Sequence, residues 1–242
     1  MKIRNIWAVA RRILSQLRHD PRTIGLMILA PIFLMTILKY IYSGQPAVFQ
    51  KVAGALLGVF PMLVMFLITS VATLRERTSG TLEKLLIMPI TKLEFVLGYA
   101  KAFGIAALLQ ATIVTTVATG PLGLKIVGSQ LLLICVAIVD ALLGMALGLF
   151  VSSFANTEFQ AVQFMPAILL PQLLLSGLLA PRDSMPRVLE VISNFMPLSY
   201  AVDATKKVIS GEGTLTGDFS IILVFLLVIL GAGAATLKRQ SS

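Results

Sequence analysis

RERTSGTLEKLLIMP, residues Arg75 to Pro89, places Arg75, Glu76, Arg77, Glu83 and Lys84 between two long apolar runs. A segment this polar cannot lie in hydrocarbon, so it must form a structure at one face of a membrane. Composition agrees. The 242 residues are 57% hydrophobic and 13% charged, with a mean hydropathy of +0.92, far more apolar than an ordinary soluble domain. These values predict an all-α membrane protein with room for roughly six spans of about 20 residues each.

Working outward from the interruption, the second span is expected over Val52 to Leu74, with Pro61 and the pair Gly54 and Gly58 at small-xxx-small spacing. Downstream, Pro89 stops any preceding helix, and Thr91 with Glu94 three residues later forms a capping-box pattern flanked by Ile90 and Phe95. The third span therefore starts afresh at Thr91 and runs to Thr119. Ser79 and Gly80 make a bend, leaving Thr81 to Met88 for a short helix at the membrane face. The other spans are expected at Thr23 to Ile41 with Pro31, Gln130 to Val151, Glu158 to Leu179 with Pro166 and Pro171, and Phe219 to Leu237.

The first 22 residues read as an amphipathic interfacial helix. Ile3, Ile6, Trp7, Ala10, Ile13, Leu14 and Leu17 recur on one face, and Arg4, Arg11, Arg12, Ser15 and Arg18 take the other. Lys and Arg at the span ends favour cytoplasmic N- and C-termini, which puts residues 75–90 in the cytoplasm. The formal charge of +9 follows this pattern and suits anionic lipid, so nucleic acid is not an expected partner.

Glu76, Arg77, Gly80, Thr81, Leu82, Glu83, Leu85 and Pro89 resemble the E-R-x-x-G-T-L-E-x-L-x-x-x-P signature of membrane subunits of type-2 ATP-binding-cassette (ABC) exporters. EFQAVQFMP (Glu158 to Pro166), LPQLLLSG (Leu170 to Gly177), Pro181 with Arg182, and PLSYAVDA (Pro197 to Ala204) are similar to the drug-resistance branch. Ser199 stands where that branch suggests threonine. The resemblance implies one permease domain over residues 1–242, with a coupling segment at 75–90 that docks an ATPase subunit. Two permeases, expected to be identical, would pair and take two ATPase copies. Glu76 and Arg77 would brace the base of the coupling helix and Gly80 would supply its bend. The chain has no G-x-x-x-x-G-K-[ST] loop and no Gly-Lys dipeptide, so ATP and Mg are expected in the partner and no cofactor or catalytic residue in this chain.

Residues 181–217 are too polar and too punctuated by Pro and Gly to form a span. Two short amphipathic helices broken at Pro197 fit them, and the resemblance implies an external re-entrant hairpin marked by Pro197, Tyr200 and Asp203. Asp140 is the one acid well inside a span. By position it suggests a proton or cation site, whereas an ATP-driven family favours an acid paired with neighbouring helices. The resemblance further implies a path between protomers, for which Phe33, Phe60, Phe66, Phe164 and Gln172 are candidates. Met27, Met35, Met62, Met65, Met145 and Met165 suit either a varied apolar ligand or ordinary packing.

The expected function is export of a hydrophobic or amphiphilic, drug-like compound across a bacterial plasma membrane. The alternatives are a lipid or lipid-linked glycan cargo, and then a proton-coupled carrier using Asp140 or a membrane scaffold. His19 and Cys135 are the only His and Cys, which leaves nothing from which to assemble a metal site or nucleophilic triad.

Overall fold

The computed structural model describes residues 2–81 and 90–236. Among them are ten α-helices: α1 (Ile3–Arg18), α2 (Pro21–Ile41), α3 (Pro46–Leu57), α4 (Phe60–Thr78), α5 (Lys92–Thr119), α6 (Gln130–Ser152), α7 (Glu158–Leu175), α8 (Arg187–Ser193), α9 (Pro197–Ser210) and α10 (Thr216–Thr236). A 3₁₀ turn at Arg182–Ser184 precedes α8. Six stretches are long and apolar enough to cross a membrane, with α3 and α4 together forming one of them.

The spans divide into an inner and an outer set. In their most apolar windows α2, α7 and α10 are only 17% buried, against 67% for α3–α4 and 61% for α6. Helix α6 is the central element, packed against α4, α5, α9 and α10. Its contact with α4 depends on two glycines one turn apart. A Cβ added at Gly144 would lie 2.2 Å from the Met62 carbonyl oxygen, and one at Gly148 would lie 2.5 Å from that of Phe66. Any larger residue would force the two backbones apart, the same close approach that small residues allow between spans generally.

The second span differs from its expected form. It is longer and it is broken, with α3 ending at its C-cap Gly58 and α4 starting after Val59. Pro61 suits the restart, because it has no N–H to give the preceding turn and sits at N2, in the first turn of α4, where none is needed. Gly54 and Gly58 do mark a close helix contact, but with α9 rather than with another span. Cβ atoms there would fall 2.8 Å from Ile209 Cδ1 and 2.5 Å from Thr205 Oγ1.

Helix α1 also departs from a pure lipid-surface role. Val9, Ala10 and Ile13 are buried in a cluster with Phe95, Val96 and Tyr99 of α5, and a Cβ at Gly98 would meet Val9 at 2.6 Å. Ile3 and Trp7 still face outward, with the Lys101 ammonium 3.3 Å above the Trp7 ring. The methionines resolve toward packing. Met27, Met35, Met62, Met65 and Met145 are each at most 2% exposed, so these five fill the interior and do not line an accessible surface.

Candidate functional site

The segment expected to couple to an ATPase begins where α4 ends. Leu82, Glu83, Leu85 and Pro89, and with them the short helix expected over Thr81 to Met88, lie outside the described residues. Its two roots are well defined. On the entry side Gly80 has φ +68, a left-handed conformation that glycine adopts without penalty, and the Ser79 and Thr81 hydroxyls are 2.9 Å apart. On the exit side Thr91 caps α5. Its hydroxyl accepts the Glu94 N–H at 3.1 Å, and the Glu94 carboxylate accepts the Thr91 N–H at 3.1 Å. That is the reciprocal pattern read from the sequence.

Three consecutive charged residues fasten the entry root to three different parts of the fold. Glu76 is buried although it is charged, because Arg12 of α1 lies 2.7 Å from one carboxylate oxygen and the Tyr99 hydroxyl of α5 donates to the other. Arg77 donates to the Ala155 carbonyl between α6 and α7. Arg75 makes a two-pronged pair with Glu158 of α7, at 2.7 and 2.9 Å. Charge-assisted and bidentate contacts of this kind fix geometry as well as adding energy. Glu94 joins the same assembly, since it also accepts the Lys2 backbone N–H and a hydrogen bond from the Asn5 amide at 3.0 Å.

Sequence reasoning pointed to Glu76 and Arg77 but missed Arg12, Tyr99 and Glu158. Arg12 falls on the polar face of a helix that reads as interfacial, and nothing in the sequence sets Tyr99 apart from any aromatic in a span. Only Glu158, opening α7 beside a cluster of apolar residues, carried a local signal, and that signal read as a helix start. Its Thr157 cap is present, accepting the Gln160 N–H at 3.2 Å.

At the opposite end, Arg182 ties the segment between α7 and α10 together. It donates to Ser193 at 3.0 Å, to Asp203 at 2.8 Å and to Asn194, and its guanidinium lies 5.3 Å from the Tyr200 ring centre. Tyr200 in turn donates to the Asn194 carbonyl at 2.9 Å. Pro197 opens α9, where the absence of an N–H costs nothing. Lys206 donates to the Gly177 carbonyl at 2.6 Å, and burial pushes its pKa below the ordinary lysine value.

The residues proposed to line a path do not share one surface. Phe33 is exposed on α2, whereas Phe66 is fully buried and Phe60 is 7% exposed, so both of these pack the interior of this chain. Phe164 is partly buried against the cluster of Leu74, Ala155 and Ala161. Gln172 is buried, and its side-chain oxygen accepts the Leu198 N–H at 3.4 Å, so it faces the start of α9. Asp140 is fully buried at the contact of α6 with α4. Its partner is a backbone group, the Met62 N–H at 3.1 Å. Among the described residues no basic side chain forms an ion pair with it.

A six-span helical subunit with its charged interruption anchored at one face defines a membrane permease domain. The ABC-2 type transporter family model matches residues 4–209, and the chain belongs to that family. It is 28% identical over 184 residues to the probable multidrug ABC transporter permease YbhR of Escherichia coli, covering 76% of this chain and 50% of that one. It is 29% identical over 204 residues to the inner membrane transport permease YhhJ of the same organism, covering 84% and 53%. Similarity extends to ABC transporter G family member 20 of Dictyostelium discoideum, at 27% over 178 residues, or 72% of this chain and 24% of that protein. The chain thus spans about half the length of the bacterial relatives it matches.

Proposed function

We propose that this chain is the permease part of an ATP-driven exporter that moves a hydrophobic or amphiphilic compound out across a bacterial plasma membrane. The observation that carries the reading is the anchoring of Arg75, Glu76 and Arg77 to α7, α1 and α5, and the α6–α7 turn. A push on the coupling segment by an ATPase subunit would reach four helices at once through buried or bidentate contacts. A solvated loop would need none of these attachments. Two copies of the permease would pair, each with one ATPase subunit that supplies ATP and Mg chemistry. The multidrug designation of YbhR favours a drug-like cargo over a lipid or lipid-linked glycan. The basic residues of α1 and around residues 75–92 favour a cytoplasmic position for that end by the positive-inside rule.

The test is co-purification with the ATPase encoded beside the permease, followed by a screen for compounds that stimulate ATP hydrolysis. Glu83→Lys is expected to leave insertion intact and to separate hydrolysis from transport. A permease that pairs with no ATPase subunit refutes the reading, and stimulation by lipid-linked glycans alone redirects it to the other cargo.

A further inference from the structure

The buried acid of α6 and the break in the second span meet at one hydrogen bond. An α-helix leaves its first N–H groups without intrahelical acceptors, and the N-cap side chain ordinarily takes the one at N2 or N3. At α4 neither ordinary route is open. The N-cap is Val59, which has no side-chain acceptor, and Pro61 at N2 has no N–H. The donor at N3 is Met62, and it gives its proton to Asp140 Oδ2 from across the helix interface.

The position of that acceptor is fixed by its surroundings. Asp140 and Gly144 lie one turn apart on the same face of α6, and Gly144 brings the α6 backbone against the carbonyl of the same Met62. Asp140 is wholly buried, and its second oxygen has no hydrogen-bond partner. A carboxylate serving as an ion-pair member would have a cation beside it. This one contacts a helix end, where the partial positive charge of unpaired N–H groups favours an acceptor. Water is scarce at that depth, so an N–H left without a partner would be costly.

We propose that Asp140 is a positioning residue that caps α4 in trans, and so fixes where the second span breaks. The acceptor oxygen is what matters, not a proton carried through the cycle. Helix α4 leads straight into the coupling segment, so a fixed break defines the point about which α4 can turn relative to α3. This last consequence rests on the exporter reading, whereas the capping itself does not.

The experiment uses the full chain in lipid nanodiscs and follows hydrogen exchange at the Met62 amide, with substrate-stimulated transport as a second readout. Asp140→Asn keeps a neutral acceptor in place and is expected to preserve both. Asp140→Leu removes the acceptor and is expected to speed exchange at Met62 by about tenfold or more. Asp140→Glu, which keeps the carboxyl group but moves its oxygens by one methylene, is expected to loosen Met62 as well and serves if the leucine variant does not insert. Unchanged Met62 exchange in both Asp140→Leu and Asp140→Glu overturns the proposal. So does an asparagine variant that keeps Met62 protected yet abolishes transport, since the acid would then act by titrating. A permease that recruits no ATPase would defeat the exporter reading while leaving the exchange result intact.

Discussion

Replacing Arg12 with methionine isolates the buried Glu76 charge at the entry root of the charged segment. Methionine keeps much of the aliphatic bulk and removes only the guanidinium. Glu76 would remain in a site where its side chain is 7% exposed, with its carboxylate still accepting from the Tyr99 hydroxyl. Stranding one member of a buried pair costs about 3–5 kcal/mol. The Arg12 side chain is 26% exposed and Tyr99 still donates, so a loss of about 2 kcal/mol is expected here. In a chain of this size that corresponds to a midpoint lowered by roughly 4–8 °C. Glu76→Gln alone should cost less, about 1 kcal/mol, because the amide can still accept from Tyr99. The double variant removes the stranded charge and should be no less stable than Arg12→Met alone. Thermal unfolding of the four proteins in matched nanodiscs completes the cycle. If the two single losses simply add, or if Arg12→Met melts with the parent protein, the ion pair does not hold the root and the reasoning fails.

Gly144→Ala and Gly148→Ala should each destabilise by about 1–3 kcal/mol or block assembly, because the new methyl meets a backbone carbonyl that cannot rotate away; folded yield after membrane extraction measures it. Arg182→Met should release α8 and the start of α9, read as faster proteolysis or exchange over residues 182–200 with the spans unchanged. Asp20→Ala should cost about 1 kcal/mol by removing the cap of α2. The hydrogen bond from the Thr23 hydroxyl holds the Asp20 carboxyl below its usual pKa. The stabilisation by its charge is therefore present above the usual aspartate range and lost as pH falls through the lowered value, which a pH series of melts on parent and Asp20→Asn would show.

Much of this architecture is legible from residue type alone, because local chemistry decides it. The restart at Thr91 needs only a hydroxyl, a carboxylate three residues later and a proline before them. The span lengths follow from bilayer thickness. What sequence could not give is the partner of each buried polar group. Arg12 and Glu76 are 64 positions apart, and Arg12 shows the same helical spacing whether it faces lipid headgroups or a neighbouring carboxylate. Gly54 and Gly58 announce a close contact without saying that α9 makes it. Phe60 and Phe66 show the same limit in reverse. Periodicity says little about direction in a helix that is apolar all round, so two interior residues read as plausible lining. The break at Gly58 and Val59 was hidden because hydropathy runs evenly through it, and only Pro61 hinted at a new helix.

The backbone contact along Gly144 and Gly148 has a mechanical meaning. Side chains between helices can change rotamer and absorb a displacement, but two backbones in direct contact have nothing compressible between them. Helices α4 and α6 therefore form one stiff spar along this contact. On the far side of the break, Gly54 and Gly58 instead seat side chains of α9, Ile209 and Thr205, against α3. On the proposed exporter reading, a load applied at Arg75 to Arg77 would pass along this spar, and the joint at Val59 would be where it becomes relative motion between α4 and α3.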